Sequence, residues 1–206
     1  AEDGIRDVER SRGLGDVYKR QVPNTSSLGL EKLGLEVDEN GWIKTDKYLK
    51  TNIENIYSCG DVTGKKLLAY VAEYQAGICI KNITGSNLEE NYSGLPECVF
   101  SLPSAAKVGV LEEEAKEKGL KYKAIKSNFL KFSSSYVYDD LNGFIQVLID
   151  EQERVIGAGI ISKEAPELIS LFSFCIRHGM KLSDLRDNLF IHPTFSEIIP
   201  LLLKEV

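Results

Sequence analysis

Near the C-terminal end, FIHPTFSEII (Phe190–Ile199) places a histidine before a proline and a glutamate five residues beyond that histidine. Proline stiffens the turn after His192, and Ser196 is the residue expected to cap the helix that begins there. The spacing lets the Glu197 carboxylate fold back onto the imidazole, orient it and favour its protonated form. Such a pair is a general acid/base near neutral pH. Taken alone, H-x4-E also describes a histidine merely packed in a loop. The other histidine, His178 in IRHGMK, stands at a helix end without a sequence partner and reads as a cap or surface residue.

A second constellation is TNIENIYSCGDVTG, Thr51 to Gly64. A strand over Asn55–Cys59 would deliver Gly60 and Asp61 at its C-terminal end, where α/β sheets bind ligands. Glycine lets a ligand approach the backbone, and the carboxylate can accept hydrogen bonds from sugar or polyol hydroxyls. The helix expected from about Lys66 to Ile83 would aim its positive N-terminal end at the same crevice. Taken alone, a strand ending in Gly-Asp also describes a plain turn.

The elements that must position these residues divide near EENYSGLPE, a polar stretch carrying both Gly and Pro. Before it, extended pieces are expected around Leu35–Val37 and Trp42–Lys44. After it, the pattern reads strand, strand, helix, three strands, then helices. The strands are expected at Cys98–Leu102, Ala106–Val110, Tyr122–Phe132, Gly143–Asp150 and Val155–Ile161. Ile145, Val147 and Ile149 alternate with Gln146 and Leu148, which predicts one buried face. Helices are expected over Glu112–Gly119 and Ala165–Gly179, each stopped by its glycine. This arrangement predicts an α+β domain built on an antiparallel sheet.

Composition narrows the function. Thirty-one acids against 25 bases give a net charge of −6, which argues against a nucleic-acid surface. The apolar runs are too short to span a bilayer, so no membrane partner is expected. Cys59, Cys79, Cys98 and Cys175 are scattered without metal-type or CxxC spacing; they read as reduced core thiols of a cytoplasmic protein, with no metal. Residues 1–21, AEDGIRDVERSRGLGDVYKRQ, have no apolar period. They back-translate, in frame and in order, into the two ends of a transposase sequencing adaptor, with Val8, Glu9 and Arg10 where an index would lie. The expectation is that the natural chain enters at Val22, already truncated.

Taken together, in this order and separation, the motifs resemble the C-terminal part of the flavin-dependent pyridine nucleotide-disulfide oxidoreductases, most closely the dihydrolipoamide dehydrogenase branch. The likeness runs from Val22 to Val206. IYSCGDVTG resembles the family's second FAD motif and LLAYVAEYQA its flavin-side helix. CVFSLPSAAKVGVLEEEAKEKG resembles the start of the dimerisation domain, and HPTFSE the catalytic dyad.

The resemblance implies the C-terminal part of an FAD-binding domain over 22–90 and a dimerisation domain over 91–206. It implies FAD held by Gly60 and Asp61, with the Leu68, Ala69 and Tyr70 backbone facing the flavin. It also implies a homodimer in which His192, held by Glu197, serves the partner subunit's redox disulfide. Electrons would pass to NAD, and the substrate would be a lipoyl-bearing protein or a small disulfide. Tyr70 stands where dehydrogenase members usually carry a histidine, but the implied contact there is mainly backbone; Phe190 stands where they often carry a second, which keeps a glutathione reductase-type sibling open. No GxGxxG and no CxxxxC redox pair occur in the chain, so a non-catalytic dimerisation domain is the reading from another class.

Overall fold

The computed structural model describes residues 21–202, which form two units, the first ending at Asn91 and the second beginning at Tyr92. The adaptor reading of residues 1–21 falls, apart from Gln21, outside the described residues.

The first unit contains two α-helices among the described residues, α1 (Leu30–Leu33) and α2 (Ala69–Ile83). The extended pieces between them meet only as isolated bridges, Val37 with Ile43 and Lys50 with Tyr57. The expected strand over Asn55–Cys59 is therefore a correction. Asn55 has φ 65°, which puts it in a turn, and the Ile56 N–H bonds back to the Ile53 carbonyl at 3.1 Å. The chain is extended only from Ile56 onward. Helix α2 also starts three residues later than expected, because Leu68 is still extended at φ −138°. Its end matches the reading: the Gly85 N–H bonds to the Asn82 carbonyl. Leu49, Ile78 and Cys79 form the small buried cluster beneath the helix.

The second unit is a five-stranded, wholly antiparallel sheet in the order β1-β2-β5-β4-β3, matching the α+β expectation. Its strands are β1 (Pro96–Val99), β2 (Ser104–Gly109), β3 (Lys123–Asn128), β4 (Phe144–Ile149) and β5 (Val155–Ser162). Helix α3 (Glu112–Glu117) follows β2. Helix α5 (Ala165–His178) packs on β5, β2 and β1, its Leu168, Ile169, Phe172 and Cys175 buried.

Three details differ from the sequence expectation. The first strand ends at Val99, short of the expected Leu102. The strand expected to run to Phe132 stops at Asn128, and Phe129–Lys131 form a 3-10 turn. Phe129 is fully buried there, and its N–H bonds the Gly143 carbonyl at 2.8 Å. A short helix, α4 (Ser133–Val137), comes next. Leu148, expected on an open face, is fully buried with Ile145, Val147 and Ile149, so both faces of the end of β4 are covered. Helices α6 (Leu182–Arg186) and α7 (Ile198–Leu202) complete the unit. No described helix is long and apolar enough to cross a membrane.

Candidate acid/base pair and cofactor-binding turn

The His192 Nδ1 lies 2.8 Å from Glu197 Oε1. The ring's side chain is 72% exposed and the carboxylate's 21%, so the pair sits at the surface with the glutamate the better-held partner. Its second oxygen explains why. Glu197 Oε2 accepts the Thr194 backbone N–H at 2.9 Å, and Thr194 is the N-cap of a 3-10 turn over Phe195–Glu197. Ser196, expected as the cap, lies inside that turn instead. The Thr194 hydroxyl donates to the Ile191 carbonyl at 2.6 Å. One carboxylate therefore closes the turn with one oxygen and holds the imidazole with the other.

The Thr194 N–H and, after it, the His192 ring hold the Glu197 carboxyl below the usual carboxylate range. An ionised Glu197 places the ring proton on Nδ1 and leaves Nε2 to accept or deliver a proton at an exposed position. Beneath the turn, Phe195 is buried against Phe129 (centroids 5.8 Å) and Phe129 against Phe132 (6.0 Å). This aromatic column anchors the turn to the core of the unit. His178 is not part of the pair; its ring stacks on Phe174 at 4.4 Å.

In the first unit, Gly60 sits against the first turns of α2, and Asp61 follows it as the first residue of a 3-10 turn. Gly60 has φ 79° and ψ −162°, which a side chain rarely adopts, and a Cβ there would meet Ala72 Cβ at 3.3 Å. Its N–H donates to the fully buried Gln75 Oε1 at 2.6 Å, and the Thr63 hydroxyl donates to its carbonyl at 2.9 Å. Sequence reasoning passed over both partners. Gln75 in particular was legible only as a polar residue on the apolar face of a helix.

The Asp61 carboxylate is exposed at this fixed turn, as are Ala69 and Tyr70 at the start of α2. Leu68, the N-cap, gives the helix no side-chain cap. A turn pinned from below, an exposed carboxylate and an uncapped helix start fit a polar, hydroxyl-bearing cofactor. The cysteines form no part of either site. All four are free thiols; Cys79 and Cys175 are buried, Cys59 and Cys98 half-buried. Among the described residues no cluster is suited to a metal ion.

The chain is similar to dihydrolipoyl dehydrogenase of Bacillus subtilis, 38% identical over 177 residues, which are 85% of this chain and 38% of that protein. It is 35% identical over 176 residues to dihydrolipoyl dehydrogenase of Chlamydia muridarum, again 38% of that protein. Among solved structures, the HOCl-induced flavoprotein disulfide reductase RclA from Escherichia coli aligns with TM-score 0.83 and 29% identity, over 90% of this chain and 43% of that one. The chain thus spans well under half the length of these relatives. The model of the pyridine nucleotide-disulphide oxidoreductase family matches residues 21–76, and that of the family's dimerisation domain matches residues 95–202. With the matched domain covering more than half of the chain, this chain belongs to the pyridine nucleotide-disulphide oxidoreductase family.

Proposed function

We propose that this chain is the C-terminal part of a flavin-dependent disulfide oxidoreductase of the dihydrolipoyl dehydrogenase type, acting as a homodimer in the cytoplasm. Bound FAD supplies electron transfer between a dithiol/disulfide pair and NAD; the longer protein would provide the redox cysteines and the NAD domain. In this chain, Asp61 would hold the polyol part of the cofactor, Gly60 the close approach, and the backbone at Leu68, Ala69 and Tyr70 the flavin edge. His192 takes the proton from a substrate thiol, because the thiolate rather than the thiol attacks a disulfide. Glu197 orients the ring through the Nδ1 contact. The protein's partners would be a lipoyl-bearing protein or a small dithiol.

The observation that carries this reading is the 2.8 Å contact between Nδ1 and Oε1 with the ring otherwise exposed. Apolar side chains support the dimer: Phe100 is 82%, Leu102 91%, Leu189 94% and Ile191 79% exposed, all in the unit that matches the dimerisation domain. The similarity to RclA favours a second reading, a sibling disulfide reductase that uses the same residues on another substrate.

Two arms test the proposal in the longer, flavin-bearing protein. Turnover of dihydrolipoamide against glutathione disulfide separates the two readings. Mixing His192→Gln chains with chains lacking the redox cysteines should give hybrid dimers with about half the activity of a normal dimer, since each hybrid keeps one intact site. Inactive hybrids from two inactive parents would place the pair's action within its own chain.

A further inference from the structure

Forty-eight per cent of the Tyr138 surface is exposed, yet its two ends are engaged. Its hydroxyl donates to the Pro193 carbonyl at 3.1 Å, a bond spanning 55 residues of sequence. Its ring lies 5.2 Å from Phe195, tilted by 33°. Pro193 is the residue between His192 and the Thr194 cap, and Phe195 is the first residue of the turn that carries Glu197. The same side chain therefore grips the loop from the backbone at its middle and from the aromatic column at its far side. The other ties in this loop are local: Thr194 to Ile191, Thr194 to Glu197, and Glu197 to His192. Around them Leu189, Ile191 and the His192 ring are exposed, so between Phe190 and the buried Phe195 packing does little to fix the loop. An exposed loop closed only by its own short bonds opens easily; a tether to a distant element raises the cost of opening.

We propose that Tyr138 is a positioning residue for the His192–Glu197 pair, setting the fraction of time in which the glutamate holds the imidazole. The inference rests on the reading of that pair as the acid/base group, and goes beyond it by adding a residue from α4's C-terminal end. The link between Tyr138 and the pair is indirect. It acts through the Pro193 carbonyl and the Phe195 ring.

Tyr138→Phe in this chain keeps the ring stack and removes only the hydroxyl. Losing one such bond corresponds to about a two- to twelve-fold change in the closed population. Thr194 amide exchange should therefore accelerate by that factor. The Glu197 carboxyl, followed by its carbon shift, should titrate closer to the ordinary glutamate range, because the groups that hold it low are the Thr194 N–H and the His192 ring. The nitrogen shifts of the neutral His192 ring should show less of the Nδ1–H tautomer. His178, the chain's other histidine, serves as control and should not change.

A merely structural tyrosine would lower thermal stability without moving the tautomer or the carboxyl titration. Unchanged Thr194 exchange and Glu197 titration in Tyr138→Phe overturn the inference. Glu197→Gln separates that failure from failure of the underlying reading: if it too leaves the His192 tautomer unmoved, there is no working pair to position. Should Tyr138→Phe fail to fold, the unmodified chain still decides. Nuclear Overhauser contacts should join the Tyr138 ring to Pro193 and to the Phe195 ring. Their absence refutes the tether.

Discussion

Gly143 offers a direct probe of the column beneath the acid/base turn. A Cβ added there would lie 2.1, 2.3 and 2.6 Å from Cδ2, Cγ and Cε2 of Phe129. Carbon atoms rest at about 3.5–4.0 Å, so the ring must retreat by roughly 1.4 Å or more. It has little room to do so: Phe129 is fully buried and lies against Phe132 and Phe195. The two backbones cannot separate either, because the Phe129 N–H is bonded to the Gly143 carbonyl. Overpacking of this kind costs about 1–3 kcal/mol, and the depth of the clash places Gly143→Ala near the upper end. Urea unfolding followed by amide spectra of the second unit should show that loss, with the Phe195 and Glu197 resonances displaced in the native baseline. Adding Phe129→Leu should recover part of it by making room for the methyl group. A loss below about 0.5 kcal/mol, with Phe195 unmoved, would refute the argument that Phe129 bears on the turn.

Three further outcomes follow from particular contacts. Gln75→Leu leaves the buried Gly60 N–H without its acceptor and should cost about 1–3 kcal/mol, read by thermal unfolding of the first unit. Burial, with the Cys59 sulfur adding to it, pushes the Cys79 thiol up to about 11, and burial pushes Cys175 to about 11. At about pH 8 both should carry roughly two-hundredfold less thiolate than an ordinary cysteine, so iodoacetamide should label them last in a timed mass-spectrometric series. Bonds from Lys126 and Lys116 hold the Glu112 carboxyl down at about 2. Because that value is depressed, the cluster's contribution is present above the ordinary glutamate range and is lost as pH falls through about 2. Glu112→Gln should flatten this part of the acid-unfolding curve.

Much of the candidate site was legible because it is local. H-x4-E places two groups within one turn, so spacing alone brought His192 and Glu197 together. The cap was legible too but was misread: Thr194 and Glu197 form the S/T-x-x-E pattern of a capping box, which outranks Ser196. Tyr138 could not be found this way. Its partner is 55 residues distant, and only the folding of the β3–β4 connection brings it there. The strand boundaries failed for related reasons. Phe129 carries the β-propensity of its neighbours, yet burial in the aromatic column turns the chain out of β3. Asn55 has a left-handed backbone, a region asparagine adopts more readily than most residues, but Ile53, Ile56 and Tyr57 give the stretch the pattern of a strand. Leu148 was assigned to an open face by alternation, which cannot register that the sheet end is covered on both sides.

The central claim is that His192, held by Glu197, moves a proton for thiol chemistry and not for the exchange between flavin and nicotinamide. Stopped-flow measurement of the two half-reactions in the longer, flavin-bearing protein tests it most directly. In His192→Gln, reduction of the flavin by NADH should proceed nearly unchanged, while reduction by dihydrolipoamide should slow by about a hundred- to ten-thousand-fold, the worth of a positioned general base. Glu197→Gln should slow the second half-reaction by less, since it orients the base without carrying the proton. Equal losses in both half-reactions, or a dithiol half-reaction left at its normal rate, would contradict the account.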